Sequence, residues 1–386
     1  MIYLDNAANT FVCYAAQKVM LKEISSVGNP SSIHFLGESA RRRLERAEED
    51  ILRNIGCNYG KLYFTSGGTE SNNLALHILA EYGKRHDKNH FITSSIEHSS
   101  VLNMFRYLET KGYKVTYISP NPDGLISVDD IKESITDSTI AISLMFVNNE
   151  LGTIQPINQV GKLCKEKGIY FHCDAVQSIG HIPTYMDENY ITFMSASAHK
   201  FGGISGVGFL AQSSMFKEKA ITPFIFGGRQ NKGVRAGTEN MVGIMAMSAA
   251  LEEATNSEHL KRRQANEEKM FLHFVDLLKT IPDTRINGSL DFKYRIPSNI
   301  NVSFKNVNSE NLIYLLSGDK IYVSASSACE AKNKNKNHVL NSIGIDDDYI
   351  GGTIRITFSN YTTIEEITEA FNSIKFWVES LRNKFT

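Results

Sequence analysis

The stretch LYFTSGGTESNN, residues 62–73, decides the fold: a short apolar run, a turn with two adjacent glycines, and the opening of a helix. Gly67 and Gly68 let the backbone come close to a ligand. A helix opening at Thr69 or Glu70 would present unpaired amides and the positive end of its dipole to an anion such as phosphate. The pattern is neither G-x-G-x-x-G nor G-x-x-x-x-G-K-[ST], which turns the reading away from nicotinamide and ATP. Taken alone, the two glycines could equally make a tight turn and nothing more.

Working outward, the same alternation continues to about residue 211. HFIT, KVTYI, IAISLMFV, IYFHC, ITFMS and VGFLA are strand-like, and helical segments are expected at 70–82, 99–111 and 157–167. Strands apolar on both faces and separated by helices predict an α/β fold built on a mostly parallel, doubly covered sheet. Ligands of such sheets collect beyond the carboxyl ends of the strands. Upstream, Ala40, Leu44, Ala47, Ile51 and Ile55 recur at helical spacing, with the RRR and EED runs on the solvated face. Downstream, helices around 240–280 lead to weaker strands, NINVSF (299–304) and TIRITF (353–358), and a last helix from Ile364. We therefore expect a large domain over 13–256 and a smaller α+β domain made of 1–12 and 257–386.

The chain has 386 residues, with 41 lysines and arginines against 42 aspartates and glutamates. No global field argues for nucleic acid or an acidic surface as partner, which leaves small metabolites. The five cysteines (13, 57, 164, 173 and 329) have neither C-x-x-C nor zinc spacing, so no metal site is expected and a reducing cytoplasm suits them. The opening MIYLDNAANT lacks the basic and apolar regions of a signal peptide, and the longest apolar run (140–147) is too short to span a bilayer.

Four more strand ends carry chemistry. FHCDAVQS (171–178) ends a buried strand in Asp174, with Gln177 three residues on; such a carboxylate needs a cationic or hydrogen-bonding partner, and a protonated pyridine nitrogen would suit it. MSASAHKFGG (194–203) carries Ser197, His199 and Lys200 among small residues that suggest an amine neutral enough to act as nucleophile. IEHSS places His98, and VNNELGTIQP places Asn149, just past two further strands. Each has a bland reading on its own. An anion cradle, a carboxylate, an amine, a histidine and an amide at neighbouring strand ends make the set that a pyridoxal 5'-phosphate site needs.

With these motifs, the chain resembles the cysteine desulfurases of the NifS/IscS type, in the class V aminotransferase family of fold-type I pyridoxal-phosphate enzymes. The motifs run through nearly the whole chain: YLDNAAN (3–9), GNPSSIH (28–34), TSGGTESNN (65–73), EHSSV (97–101), VNNELGTIQPI (148–157), HCDAVQSIG (172–180), SAHKFGG (197–203), RAGTEN (235–240), SSAC (326–329) and TIRITFS (353–359). The resemblance implies that Lys200 carries the cofactor, Asp174 partners the pyridine nitrogen, Gln177 donates to the ring oxygen, and His98 stacks on the ring. It implies a phosphate cradle of Gly68, Thr69, Ser197 and His199, completed by Thr238 from the neighbouring subunit of a homodimer. Asn149 and Arg355 match the residues that hold the substrate carboxylate, and Cys329 matches the catalytic cysteine that takes the sulfur of L-cysteine as a persulfide for a sulfur-acceptor protein.

The sequence departs from the family pattern after Lys200, where Gly203-Ile204-Ser205-Gly206 replaces GPKG, and around Cys329, where Ser326 replaces a glycine and KNKN replaces LEPS. No apolar residue occurs from Lys332 to His338, so 324–338 is expected to be a mobile polar loop that brings Cys329 to the cofactor. Cys13, Cys57, Cys164 and Cys173 read as small core residues. Selenocysteine lyase or transaminase chemistry on the same cofactor, and a carrier that has lost activity, are the alternatives.

Overall fold

The computed structural model describes residues 1–218, 220–325 and 337–383. The chain opens with β1 (Ile2–Tyr3), α1 (Tyr14–Glu23) and α2 (Phe35–Asn54). The alternation anticipated from the apolar runs follows: β2 (Lys61–Thr65), α3 (Gly68–Arg85), β3 (His90–Ser94), α4 (Ser99–Glu109), β4 (Lys114–Ile118), α5 (Val128–Glu133), β5 (Thr139–Met145), α6 (Ile157–Lys167), β6 (Tyr170–Asp174), β7 (Phe193–Ser197) and β8 (Gly208–Gln212). These strands form one seven-stranded sheet in the order β2-β8-β7-β6-β5-β3-β4. Only β8 runs against its neighbours. Strands β3, β5, β7 and β8 are buried along their whole length, which is why they read as unbroken apolar runs instead of alternating ones.

Because β2, β3, β5, β6 and β7 point the same way, their carboxyl ends share one edge. The residues singled out above follow directly: Gly68 and Thr69 after β2, His98 after β3, Asn149 after β5, Asp174 closing β6 and Lys200 after β7. Helix α3 begins at Gly68, one residue earlier than expected. Close backbone packing requires glycine here. A Cβ on Gly208 would lie 2.5 Å from Ala196 O and 2.7 Å from Gly67 Cα, and Gly67 itself has φ 150°.

Helices α7 (Met241–Thr255) and α8 (Ser257–Leu278) lead to the second half: β9 (Thr284–Asn287), β10 (Asn299–Phe304), α9 (Ser309–Gly318), β11 (Ile321–Tyr322), β12 (Ser324–Ala325), α10 (His338–Ser342), α11 (Asp347–Ile350), β13 (Thr353–Thr357) and α12 (Ile364–Asn383). An antiparallel sheet of order β12-β13-β10-β9 has its own apolar core, in which Phe274, Ile300, Val302, Ile356, Phe358 and Ile374 are fully buried or nearly so. The first residues of the chain belong with it: β1 pairs with β11, and Asp5 bridges to Thr357.

Buried Arg295 ties the two halves together. It donates to Ser289 O (2.7 Å), Leu151 O (3.2 Å) and Asn299 O (2.5 Å), and its guanidinium lies 4.5 Å from the Phe271 ring centre. Among the described residues, no helix is long and apolar enough to cross a membrane.

Candidate active site

The shared edge of the strands opens into a cavity of about 310 Å³. Gly68, Thr69, His98, Asn149, Asp174, Gln177, Ser197, His199, Lys200 and Arg355 all line it. Thr238 is exposed and does not line this cavity in its own chain. Cys329 and most of the 324–338 segment lie outside the described residues.

The amine of Lys200 sits on two backbone carbonyls, Ala7 O at 2.6 Å and Ala8 O at 2.8 Å. Both are acceptors that the N–H groups of a primary amine satisfy. Gln177 Nε2 also donates to Ala7 O, at 3.0 Å. At one end of the cavity, the start of α3 faces Ser197 and His199, whose Oγ and Nδ1 are 2.9 Å apart. Burial, with some help from the Lys200 charge, pushes the His199 imidazole down to about 4, so near neutral pH it is uncharged. Helix start, hydroxyl and neutral imidazole could together hold a phosphate group.

Asp174 lies deeper. It accepts from Asn72 Nδ2 at 2.7 Å and from the Val176 amide at 3.0 Å. Asn72 also donates to Ser100 Oγ at 2.9 Å, and that hydroxyl lies 2.7 Å from His98 Nδ1. Because the Ser100 amide donates to His98 Nδ1 as well, Nδ1 is the acceptor and the neutral ring carries its proton on Nε2. Burial first, then the Lys200 and His338 charges, lower the His98 pKa, and Asp174 opposes them. One hydrogen-bonded chain thus runs from Asp174 through Asn72 and Ser100 to His98.

On the opposite wall, Arg355 is paired with Asp5 (2.9 Å) and donates to Asn149 O (3.1 Å). The fork of Arg355 could exchange these partners for a ligand carboxylate. Glu97, next to His98, is fully buried. Its Oε1 lies 2.7 Å from Ser94 Oγ and 3.0 Å from the Met145 amide, while Oε2 has no hydrogen-bond partner among the described residues. Burial pushes its carboxyl up to about 8; the Asp174 charge adds to the rise and the two hydrogen bonds oppose it. His338 donates from Nε2 to Glu97 O at 3.0 Å, and Asn337, which caps α10, donates to Glu150 Oε2 at 2.7 Å.

Asp5, Asn72, Glu97, Glu150 and His338 were not anticipated. Asn72 had a usable signal, since it sits four residues after Gly68 and therefore on the same face of α3. The four other cysteines are buried thiols, as expected.

The donor set fits pyridoxal phosphate. It combines a primary amine, an anion-binding helix start, a buried carboxylate with lone pairs toward the cavity, and a neutral imidazole. Comparison with known proteins gives the class: the chain belongs to the aminotransferase class-V family, whose model matches residues 2–370. Within that family it is a member of the cysteine desulfurase group.

It is 40% identical over 385 residues to the cysteine desulfurase IscS of Dictyoglomus turgidum, covering 99% of this chain and 95% of that one. It is 38% identical to the protein of the same name from Methanosarcina thermophila, covering 99% and 93%. Among solved structures, a NifS-like protein superposes with a TM-score of 0.90 at 34% identity, covering 98% of this chain and 99% of that chain. A NifS-like protein from Rickettsia africae gives 0.86 at 29% identity, with the same coverage.

Proposed function

We propose that the protein is a pyridoxal-phosphate-dependent cysteine desulfurase that converts L-cysteine to L-alanine and passes the sulfur to Cys329 as a persulfide. The observation that carries the reading is the convergence of Lys200, Asp174, His98 and the start of α3 on one cavity. When bound, pyridoxal phosphate supplies an electron sink for bonds at the substrate α-carbon.

The chain's own residues supply the rest. Lys200 would attach the cofactor and, once released, move the proton at the substrate α-carbon. Asp174, oriented by Asn72 and the Val176 amide, would hold a proton on the pyridine nitrogen. His98, with its proton on Nε2, would stack on the ring. Gln177 would hold the ring oxygen, while Gly68, Thr69, Ser197 and His199 would hold the phosphate. Arg355 and Asn149 would hold the substrate carboxylate. The Cys329 thiolate then bonds to the substrate sulfur; the carbon–sulfur bond breaks with its electron pair going to carbon, and that carbon takes a proton to give alanine.

Thr238 would act on the partner's site in a homodimer. The exposed apolar residues Tyr14, Leu21, Ile24, Val27, Ile33 and Phe35 support such an interface. We place the domain boundaries at 13–256 and at 1–12 with 257–386. The sulfur acceptor would be another protein, such as an iron–sulfur scaffold or a tRNA thiolation enzyme, and the four buried thiols suit a reducing cytoplasm.

The test is to incubate holoenzyme with L-cysteine and measure alanine and persulfide. Cys329→Ser should keep the cysteine-induced change in cofactor absorbance and lose persulfide. Sulfur release from this variant at the wild-type rate would overturn the role of Cys329.

A further inference from the structure

A second cavity, of about 290 Å³, lies on the other side of the N-terminal segment from the first. Asn6 and Thr10 line it, whereas Ala7 and Ala8, between them in sequence, line the first cavity, and Lys200 borders both. Residues 6–10 are therefore a wall one segment thick. The far side of the second cavity is α8, which contributes Arg263 and Glu267.

These two side chains are poorly satisfied for groups so deeply placed. Glu267 is 1% exposed, and neither of its carboxylate oxygens has a hydrogen-bond partner among the described residues. Arg263 Nε and Nη2 are also buried without hydrogen-bond partners there, and Nε stands 3.6 Å from Glu267 Oε1. The pair is close enough to attract but too far apart for a good hydrogen bond. Buried charged groups left this way are costly, which marks a place where donors and acceptors from outside the chain would be held strongly. Burial pushes the Glu267 carboxyl up to about 7, against the pull of Arg263.

The chemistry of the pair selects the ligand. An inorganic anion would pair with Arg263 and be repelled by Glu267, and a metal ion would meet the reverse. A molecule carrying a carboxylate and an ammonium a few ångströms apart satisfies both, and the cavity is near the lower end of the size range for small-molecule pockets. We propose that this cavity binds a small zwitterionic α-amino acid, carboxylate against Arg263 and ammonium against Glu267, at a site separate from the catalytic one. The site does not depend on the reaction assigned to the first cavity. Its shared wall couples it to the carbonyls that hold Lys200.

N,N-dimethylglycine is a suitable probe, since it keeps both charges but its tertiary amine cannot condense with an aldehyde. Titrated calorimetrically into holoenzyme, it should bind, and Glu267→Gln or Arg263→Gln should each weaken binding about tenfold or more. Arg355→Gln should leave that binding unchanged. No heat at high millimolar concentration would mean that water alone fills the cavity and would overturn the proposal. Binding that survives both α8 variants but disappears in Arg355→Gln would place the probe in the catalytic cavity and would overturn it equally. Glu267→Gln, which keeps the side-chain shape, decides the matter if Arg263→Gln does not fold.

Discussion

Replacing Glu97 by glutamine should change how the stability of this protein depends on pH. The carboxyl is fully buried, and its folded-state pKa is about 8 against an ordinary value of 4.5. Below 4.5 the group is protonated in both folded and unfolded chains. Between 4.5 and about 8 the folded chain holds a proton that the unfolded chain has released, so stability falls as pH rises through that window. Integrated between about pH 5 and pH 8, the loss is about 3 kcal/mol.

Glutamine matches the protonated carboxyl atom for atom. Its oxygen can accept from Ser94 Oγ and the Met145 amide, and its amide nitrogen takes the place of Oε2, but it does not titrate. Urea unfolding at fixed protein concentration should therefore show variant and wild type close together near pH 5, with the variant pulling ahead by about 3 kcal/mol near pH 8. Glu267, also raised by burial, titrates in both proteins and cancels in the difference. A gap that stays constant or narrows as pH rises would mean that Glu97 is ionised in the folded protein, and the reasoning would fail.

Three further outcomes follow from the geometry. Gly208→Ala would drive a Cβ into Ala196 O and Gly67 Cα, costing about 1–3 kcal/mol in unfolding free energy and loosening retention of the cofactor during dialysis. Arg295→Met would leave three carbonyls without their donor and should lower stability by about 3 kcal/mol or more in the same urea assay. Arg355→Lys exchanges a fork for a point charge and should raise KM for cysteine about tenfold with kcat little changed; an unchanged KM in steady-state assays would remove Arg355 from substrate binding.

Much of the site was legible because the strands announce themselves. A buried parallel strand has no polar face, so Asp174 stands out as the charge that ends the run IYFHC, and His98 and Lys200 lie within five residues of the ends of HFIT and ITFMS. Charges on helices carry no such contrast. Arg263 and Glu267 sit in the run KRRQANEEK, which reads as solvent-facing, and only the folded chain turns them onto the second cavity. Asn72 sits among the polar residues of TESNN, where only its four-residue spacing from Gly68 sets it apart. Asp5 could not be tied to Arg355 by local pattern, because 350 positions separate them. The carbonyls that hold Lys200 escaped local pattern for a related reason, since they come from residues 7 and 8.

The pairing of Asp5 with Arg355 also bears on how the protein is made. Synthesis delivers residues 1–10 long before β13, yet the wall that holds Lys200 is fastened by β1 to β11 and by Asp5 to Arg355 and Thr357. The seven-stranded sheet can fold while the ribosome is still adding the second half. The anchored wall cannot form until nearly all of these 386 residues have emerged. Any translation product truncated before Arg355 would carry the cavity-lining strand ends without the pairing that anchors this wall.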